Sequence, residues 1–226
     1  MDKMNKEVSR MDQIKFVIFD MDGLLFDTET VAYRAMKKVM DKAGFPFTMD
    51  IYRKIIGAGS DEDERILQSV YGDTFTITSI QAPLSKEFDD IIKAEGIRVM
   101  PGVHELLDIL DQKQIKKCIA SSSPLSTIQS YLQMTHLSDR FDFYMSGEEV
   151  ERGKPNPDIF IEACRRAREE AETSLVLEDS LNGLRAAHGA DIACILVPDL
   201  IEPNEEMKAK AYKVVPSLRD VVEMLK

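Results

Sequence analysis

The chain has little positive charge and no long apolar run, and each shortage excludes a class of protein. Its 226 residues include 29 lysine and arginine residues against 40 acidic ones, a formal net charge of -11. Binding to nucleic acid or to an anionic membrane needs a basic surface, so we expect neither. No run approaches the roughly 18 apolar residues of a membrane span, and the polar start MDKMNKEVSRMDQ lacks the apolar region of a signal peptide.

Cysteine is also scarce. The three cysteines, Cys118, Cys164 and Cys194, are far apart in the sequence, and no C-x-x-C pair occurs. This pattern is typical of reduced packing residues and not of a disulfide framework or a zinc site. We therefore expect a cytoplasmic protein, and we expect a monomer because no apolar seam is evident.

Short β-branched runs alternate with helical patterns along most of the chain. This order is typical of an α/β protein with a doubly wound parallel sheet, a Rossmann-like core of three layers. The predicted strands are 15–20, 116–121, 143–147, 174–179, 194–197 and 213–215. Gly189 is predicted to close a helix that starts near residue 181, and Pro124 suits the first turn of another.

One region breaks the alternation. From residue 28 to residue 93 the apolar residues recur with a helical period, and no strand is evident. We therefore expect an α-helical cap domain over 28–93, inserted into a core domain formed by 1–27 and 94–226. A helical cap is a common device for excluding water from a reaction site.

Polar residues follow the predicted core strands at the points where these end. In an open parallel sheet, ligands bind beyond the carboxyl ends of the strands, so such residues are candidates for one site. The candidates are Asp20 and Asp22 after the first strand, Ser121, Ser122 and Ser123 after the second, Glu178 and Asp179 after the fourth, and Lys154 in the GKPNPD segment.

This set of side chains has a chemical logic. Carboxylate and carbonyl oxygens select a hard cation such as Mg²⁺, which retains room for a substrate oxygen. An aspartate that attacks a phosphate meets charge repulsion, which a cation and a lysine offset, and the transfer gives an aspartyl-phosphate. A carboxylate two residues on can protonate the leaving oxygen and later activate water.

Each motif also has a structural interpretation. Asp-x-Asp-Gly is common in turns, Ser121 to Ser123 before Pro124 can form a helix N-cap, and Glu178 to Ser180 resembles a capped helix start. The lysine of GKPNPD, taken alone, would be solvated. Their joint occurrence at the ends of successive strands favours a functional site.

The motifs DMDGLLFDT, IASSS, GKPNPD and LVLEDS, in that order, resemble the four signature motifs of the haloacid dehalogenase-like hydrolase superfamily. The resemblance is greatest to its branch with a helical cap after the first motif, the β-phosphoglucomutase-like phosphatases. It implies a Mg²⁺-dependent phosphatase that hydrolyses a small phosphate monoester, such as a sugar phosphate or a related metabolite, through an aspartyl-phosphate.

The resemblance also implies a role for each site residue. Asp20 is the nucleophile and a metal ligand, and Asp22 is the general acid/base whose backbone carbonyl binds the metal. Ser121, with the Ser122 backbone, holds the transferring phosphoryl group, and Lys154 neutralises it. Asp179 completes the metal site, with Glu178 as a direct or water-mediated ligand.

Departures from the family pattern separate the alternatives. The mutases of this branch resemble one another in a histidine where this chain has Ala32 and in an arginine that the loop IIGAGSDEDE lacks before Arg65. A phosphatase is therefore favoured over a sugar phosphomutase. The loop also has a structural interpretation, because Ser60 and Asp63 can form a capping box at the start of a helix.

A non-enzymatic phospho-aspartate signalling domain is a second class of alternative. Such domains also combine an aspartate, a hydroxyl and a lysine, but they lack the second carboxylate and a helical cap and are about half as long. Within the cap, Arg53, Lys54 and Arg65 are candidates for substrate contacts.

Overall fold

The computed structural model describes residues 10–56 and 60–226, and the side chains of residues 60 and 61 lie outside this description. The chain divides into two compact units, one formed by Asp27–Ile97 and the other by the residues on either side. The interpretation of Ser60 and Asp63 as a capping box depends on the Ser60 side chain, which lies outside the described residues.

Four helices form the part of the helical unit that the structure describes. They are α1 (Thr28–Lys42), α2 (Met49–Ile55), α3 (Ser60–Tyr71) and α4 (Thr78–Glu95). Asp27 caps α1 by accepting a hydrogen bond from the Thr30 amide. Two ion pairs, Arg34 with Glu95 and Lys38 with Glu87, join α1 to α4.

An aromatic cluster packs the loop between α1 and α2 against α3 and the loop that follows it. The ring of Phe45 lies 5.1 Å from that of Tyr71 and 5.4 Å from that of Phe75, both edge to face. Since edge-to-face aromatic pairs stabilise a fold beyond the contribution of buried area alone, these rings help to hold the helices of this unit together.

The other unit is a six-stranded, all-parallel sheet with the strand order β3-β2-β1-β4-β5-β6. Its strands are β1 (Phe16–Phe19), β2 (Lys116–Ser121), β3 (Phe143–Ser146), β4 (Ser174–Glu178), β5 (Ala193–Leu196) and β6 (Lys213–Val214). The order reverses between β1 and β4, which makes their carboxyl ends the topological switch point where ligands bind in this architecture.

Helices cover both faces of the sheet. They are α5 (Val103–Gln112), α6 (Leu125–Met134), α7 (Asp158–Ala167), α8 (Leu181–Gly189), α9 (Glu205–Lys210) and α10 (Leu218–Leu225). Phe16 and Ile18 of the central strand join one cluster with Phe160 of α7 and Leu184 of α8. Strand β1 is apolar at every position because both of its faces are buried.

The predicted fold class is confirmed, and all six predicted strands occur within one residue of their expected starts. Gly189 was predicted to close the helix that starts near residue 181, but it is the last residue of α8 itself. The left-handed conformation after this helix is adopted by Asp191, at φ 58°. The three cysteines are free and buried. Among the described residues, the helices are all too short or too polar to cross a membrane.

Candidate active site

Asp20 directly follows the central strand. Its amide donates to the Leu177 carbonyl of β4 at 3.0 Å, so the β1–β4 pairing continues one residue past the strand and fixes the aspartate at the edge of the sheet. The residue is 8% exposed. The fold therefore holds a carboxyl group in a nearly dry position at the switch point.

Lys154 lies against Asp20. Its ammonium group donates to Asp20 Oδ1 at 2.6 Å, to Glu178 Oε1 at 2.7 Å and to the Ala120 carbonyl at 2.9 Å. An ammonium has three protons, so these contacts use all of them. The group also lies 5.0 Å from the centre of the Phe160 ring, a cation–π contact. Three strand ends and the loop before α7 thus meet at one cation.

Burial and charge perturb both partners strongly. Burial, assisted by the nearby carboxylates of Glu178 and Asp22 and opposed by Lys154, raises the pKa of the Asp20 carboxyl to about 8. Burial alone would lower the pKa of Lys154, but the carboxylates of Asp20 and Glu178 hold it above its ordinary value. The excess of negative charge favours an additional cation at this place.

Glu178 is fully buried and its second oxygen is occupied. Oε2 accepts from the amides of Asp179 and Ser180 at 3.1 and 3.0 Å and from the Ser180 hydroxyl at 2.8 Å. Ser180 in turn caps α8 by accepting from the Gly183 amide at 3.0 Å. A Cβ atom at residue 183 would overlap the Glu178 carboxylate, which accounts for the glycine.

Three carboxylates converge on a place that fits a metal ion. Asp20, Glu178 and Asp179 each offer an oxygen, and these oxygens lie within 4.8 Å of one another. Gly23, at φ 80°, lets the backbone of the first motif approach Asp179 so closely that any Cβ atom would overlap its carboxylate. An all-oxygen set with this charge fits a hard divalent cation such as Mg²⁺.

Two serine hydroxyls contact Asp22. Ser123 Oγ donates to Asp22 Oδ2 at 2.8 Å, and Ser121 Oγ is 3.4 Å from the same oxygen. Ser121 also accepts from the Ser123 amide at 3.0 Å. The N-cap interpretation of these serines is wrong, because Pro124 precedes α6 and the Leu125 amide donates to Glu148 instead.

The sequence placed Ser123 among the candidates without giving it a role, and it did not point to Ser146. The Ser146 hydroxyl, at the end of β3, donates to the Ser123 carbonyl at 2.7 Å and so braces the loop after β2. The only signal was a polar residue at the carboxyl end of a predicted strand.

Ser122 is exposed, and a Cβ atom at residue 147 would come within 3.2 Å of its backbone.

The candidate cap contacts lie on exposed helix surfaces. Arg53 pairs with Asp50 at 3.7 Å and Arg65 with Glu62 at 3.0 Å, each within its own helix, and Lys54 is exposed. Each of the two arginines is therefore paired with a carboxylate of its own helix.

The parallel α/β fold, with Lys154 among carboxylates at the carboxyl ends of its strands, defines the protein as an enzyme of the α/β class. The family model described as haloacid dehalogenase-like hydrolase matches residues 17–197. The chain belongs to that family and is a hydrolase.

Relatives with assigned activities are similar over nearly the whole chain. The phosphorylated carbohydrates phosphatase of Thermotoga maritima is 31% identical over 212 residues, covering 93% of this chain and 97% of its own. Hexitol phosphatase B of Escherichia coli is 30% identical over 216 residues, covering 92% and 95%. A Thermotoga maritima structure, described provisionally as a β-phosphoglucomutase, superimposes with TM-score 0.76 at 29% identity, covering 94% and 98%.

Proposed function

We propose that the protein is a Mg²⁺-dependent phosphatase that hydrolyses a small phosphate monoester, such as a sugar phosphate, through an aspartyl-phosphate on Asp20. The observation that carries the proposal is the Lys154 ammonium, 2.6 Å from Asp20 and 2.7 Å from Glu178 at the switch point. The phosphatase names of two relatives support the same reaction. A cytoplasmic location and a monomeric state remain predictions.

The proposed reaction has two steps. An oxygen of Asp20 attacks phosphorus, the bond from phosphorus to the alcohol oxygen breaks, and Asp22 gives that oxygen a proton. Water then gives a proton to Asp22 and attacks the phosphoryl group, the bond to Asp20 breaks and phosphate leaves. Ser121, the Ser122 backbone and Lys154 hold the transferring group throughout.

Asp20, the Asp22 carbonyl and Asp179 would hold the metal, with Glu178 as a direct or water-mediated ligand. Mg²⁺, when bound, supplies positive charge that offsets the repulsion between the attacking carboxylate and the phosphate. Lys154 occupies one oxygen of Glu178, and three donors occupy the other, which favours the water-mediated arrangement for that residue.

A sugar phosphomutase is the second candidate, and the name of the Thermotoga maritima structure favours it. Ala32 opposes it, because this position holds no group that can move a proton. The non-enzymatic signalling alternative is not supported, since the chain is a hydrolase.

Phosphate release from a panel of sugar phosphates, hexitol phosphates and sugar bisphosphates tests the proposed function. We expect release with Mg²⁺ and a decrease on the order of 10²-fold or more with chelator, restored by added Mg²⁺, because several kcal/mol of charge stabilisation are removed. Interconversion of a hexose phosphate primed by a bisphosphate, without net phosphate release, would identify a mutase instead.

Ser123 is proposed as a positioning residue, because its hydroxyl holds Asp22 at 2.8 Å. Ser123→Ala is expected to lower kcat roughly tenfold while KM changes little, because the Asp22 side chain loses a hydrogen bond that orients it for proton transfer. Ser123→Thr keeps the hydroxyl and should restore most of the rate. The matched control is Ser126→Ala on the exposed side of α6, and equal rates for the two alanine variants would disprove the role.

A further inference from the structure

Ser146 is the last residue of β3, a strand at one edge of the sheet, and it lies outside the four motifs DMDGLLFDT, IASSS, GKPNPD and LVLEDS. It is fully buried and is paired in register with Ser121 of β2. Strand β2 separates it from the central strand, which carries Asp20 and Asp22 at its end. An effect of Ser146 on the reaction would therefore pass through the loop after β2.

The Ser146 hydroxyl has a fixed direction. Its oxygen accepts from the Glu148 amide at 3.1 Å, and its proton is donated to the Ser123 carbonyl at 2.7 Å. The Glu148 carboxylate is a more distant acceptor, at 3.4 Å. The Ser146 amide donates to Glu149 Oε1 at 3.0 Å, and Glu149 Oε2 pairs with Arg166 at 2.8 Å. With these contacts Ser146 is a rigid, buried donor to the Ser123 backbone.

The residues that follow Ser146 contact the same loop. A Cβ atom at residue 147 would come within 3.2 Å of the Ser122 backbone, so the glycine allows the two backbones to approach closely. Glu148 Oε2 accepts from the amide of Leu125, the first residue of α6, at 3.2 Å. The turn after β3 therefore contacts the loop on both sides of Ser123.

The Ser123 side chain connects this contact to Asp22. Its hydroxyl donates to Asp22 Oδ2 at 2.8 Å. Because a serine side chain is short, a shift of the Ser123 backbone moves its hydroxyl by nearly the same amount. Misplacement of a catalytic group by about 1 Å costs up to roughly 10²-fold in rate. Two hydrogen bonds thus lead from the edge strand to the proposed acid/base.

We propose that Ser146 is a positioning residue for the acid/base. It fixes the Ser123 backbone, and the Ser123 hydroxyl then orients Asp22 for proton transfer to the leaving oxygen. The inference rests on the proposed function, in which Asp22 protonates the alcohol. Ser146 acts only through Ser123.

Esters with different leaving groups test this role. Ser146→Ala is expected to lower kcat and kcat/KM roughly tenfold for the sugar or hexitol phosphate that reacts fastest, with KM little changed. For p-nitrophenyl phosphate, kcat/KM should change by less than a factor of about two, because nitrophenolate is a stable anion that leaves without a proton. A general loss of folded protein would lower both rates equally. Ser146→Thr keeps the hydroxyl and should restore most of the rate.

Ser174→Ala is the matched control. Ser174 is also fully buried, and its hydroxyl donates to the Glu170 carbonyl at 2.7 Å, but it is the first residue of β4, at the opposite end of the strand from the active site. Both alanine variants should show a similar decrease in melting temperature, and only Ser146→Ala should lose activity toward the sugar phosphate. Equal activities of the two variants, or an equal loss on both esters, would overturn the proposal.

The double variant Ser123→Ala/Ser146→Ala tests the route. Its kcat should be close to that of Ser123→Ala alone, because the connection to Asp22 is already broken in the single variant. A second decrease of about tenfold would mean that the two residues act independently, and it would overturn the assigned route.

Amide hydrogen exchange, followed by mass spectrometry on the peptide that contains residues 122–125, tests the contact without any substrate. Exchange in this peptide should be faster in Ser146→Ala than in the wild type and unchanged in Ser174→Ala. Unchanged exchange in Ser146→Ala would show that Ser146 does not hold the loop. Absence of phosphate release from every monoester would refute the phosphatase instead, and the exchange result would still decide whether Ser146 holds the loop.

Discussion

Asp20→Asn is expected to reduce phosphate release by on the order of 10³-fold or more, to near background. The amide keeps the shape of the side chain but cannot attack phosphorus to give an aspartyl-phosphate. The fold should survive, because the amide oxygen can still accept from Lys154 and the neutral amide adds no negative charge to a crowded acidic cluster. The melting temperature without metal should therefore equal or exceed that of the wild type. Steady-state phosphate release and thermal unfolding measure the two effects.

Asp139→Asn is the matched control for this change, since Asp139 is exposed in the same unit. It should have wild-type activity and stability. If Asp20→Asn retained a near-wild-type rate, a nucleophilic role for Asp20 would be excluded and the mechanism with it.

Lys154→Ala is expected to lower activity by on the order of 10²-fold or more, because preorganised charge at the transferring group is a large part of catalysis. It should also destabilise the fold. The Lys154 side chain is 6% exposed and its partner Glu178 is fully buried, so removal of the cation leaves buried carboxylate charge uncompensated. The expected loss in the free energy of unfolding is about 3–5 kcal/mol.

Chemical denaturation and phosphate release on folded protein separate these two effects of Lys154→Ala. Lys113→Ala, at the exposed C-terminal end of α5, is the control and should change neither quantity appreciably. A change in activity within a factor of about two, measured where circular dichroism shows a folded variant, would disprove the role of Lys154 in transition-state stabilisation.

The sheet was predictable from the sequence because its central strands are buried on both faces. FVIF of β1 is an apolar run followed by Asp20, and SLVLE of β4 is a largely apolar run that ends in Glu178. Such runs are typical of buried parallel strands in a chain with helices between them. The ends of helices were harder to predict, because Gly189 and Asp191 both suit a helix end and only the packing of the chain after α8 decides between them.

The meeting of Asp20, Lys154 and Glu178 followed from the rule that parallel strands end at one edge. The contacts of Ser123 and Ser146 could not be predicted from the sequence. A hydroxyl has many possible partners, and the partner that it finds depends on the register between β2 and β3. Arg53, Lys54 and Arg65 were candidates for substrate contacts, and the structure pairs the two arginines with acidic residues of their own helices. Such pairing depends on side-chain positions that the sequence does not determine.

The central claim is a covalent phosphoryl group on Asp20 during turnover, and acid quenching followed by mass spectrometry tests it most directly. The wild-type enzyme is mixed with Mg²⁺ and its best substrate, quenched within the first turnovers and digested with pepsin at low pH, where an acyl phosphate survives. The account predicts that the peptide containing Asp20 gains the mass of one phosphoryl group, and that this gain is lost in Asp20→Asn. Phosphate release without any phosphoryl group on Asp20, or with the group on another residue, would contradict it.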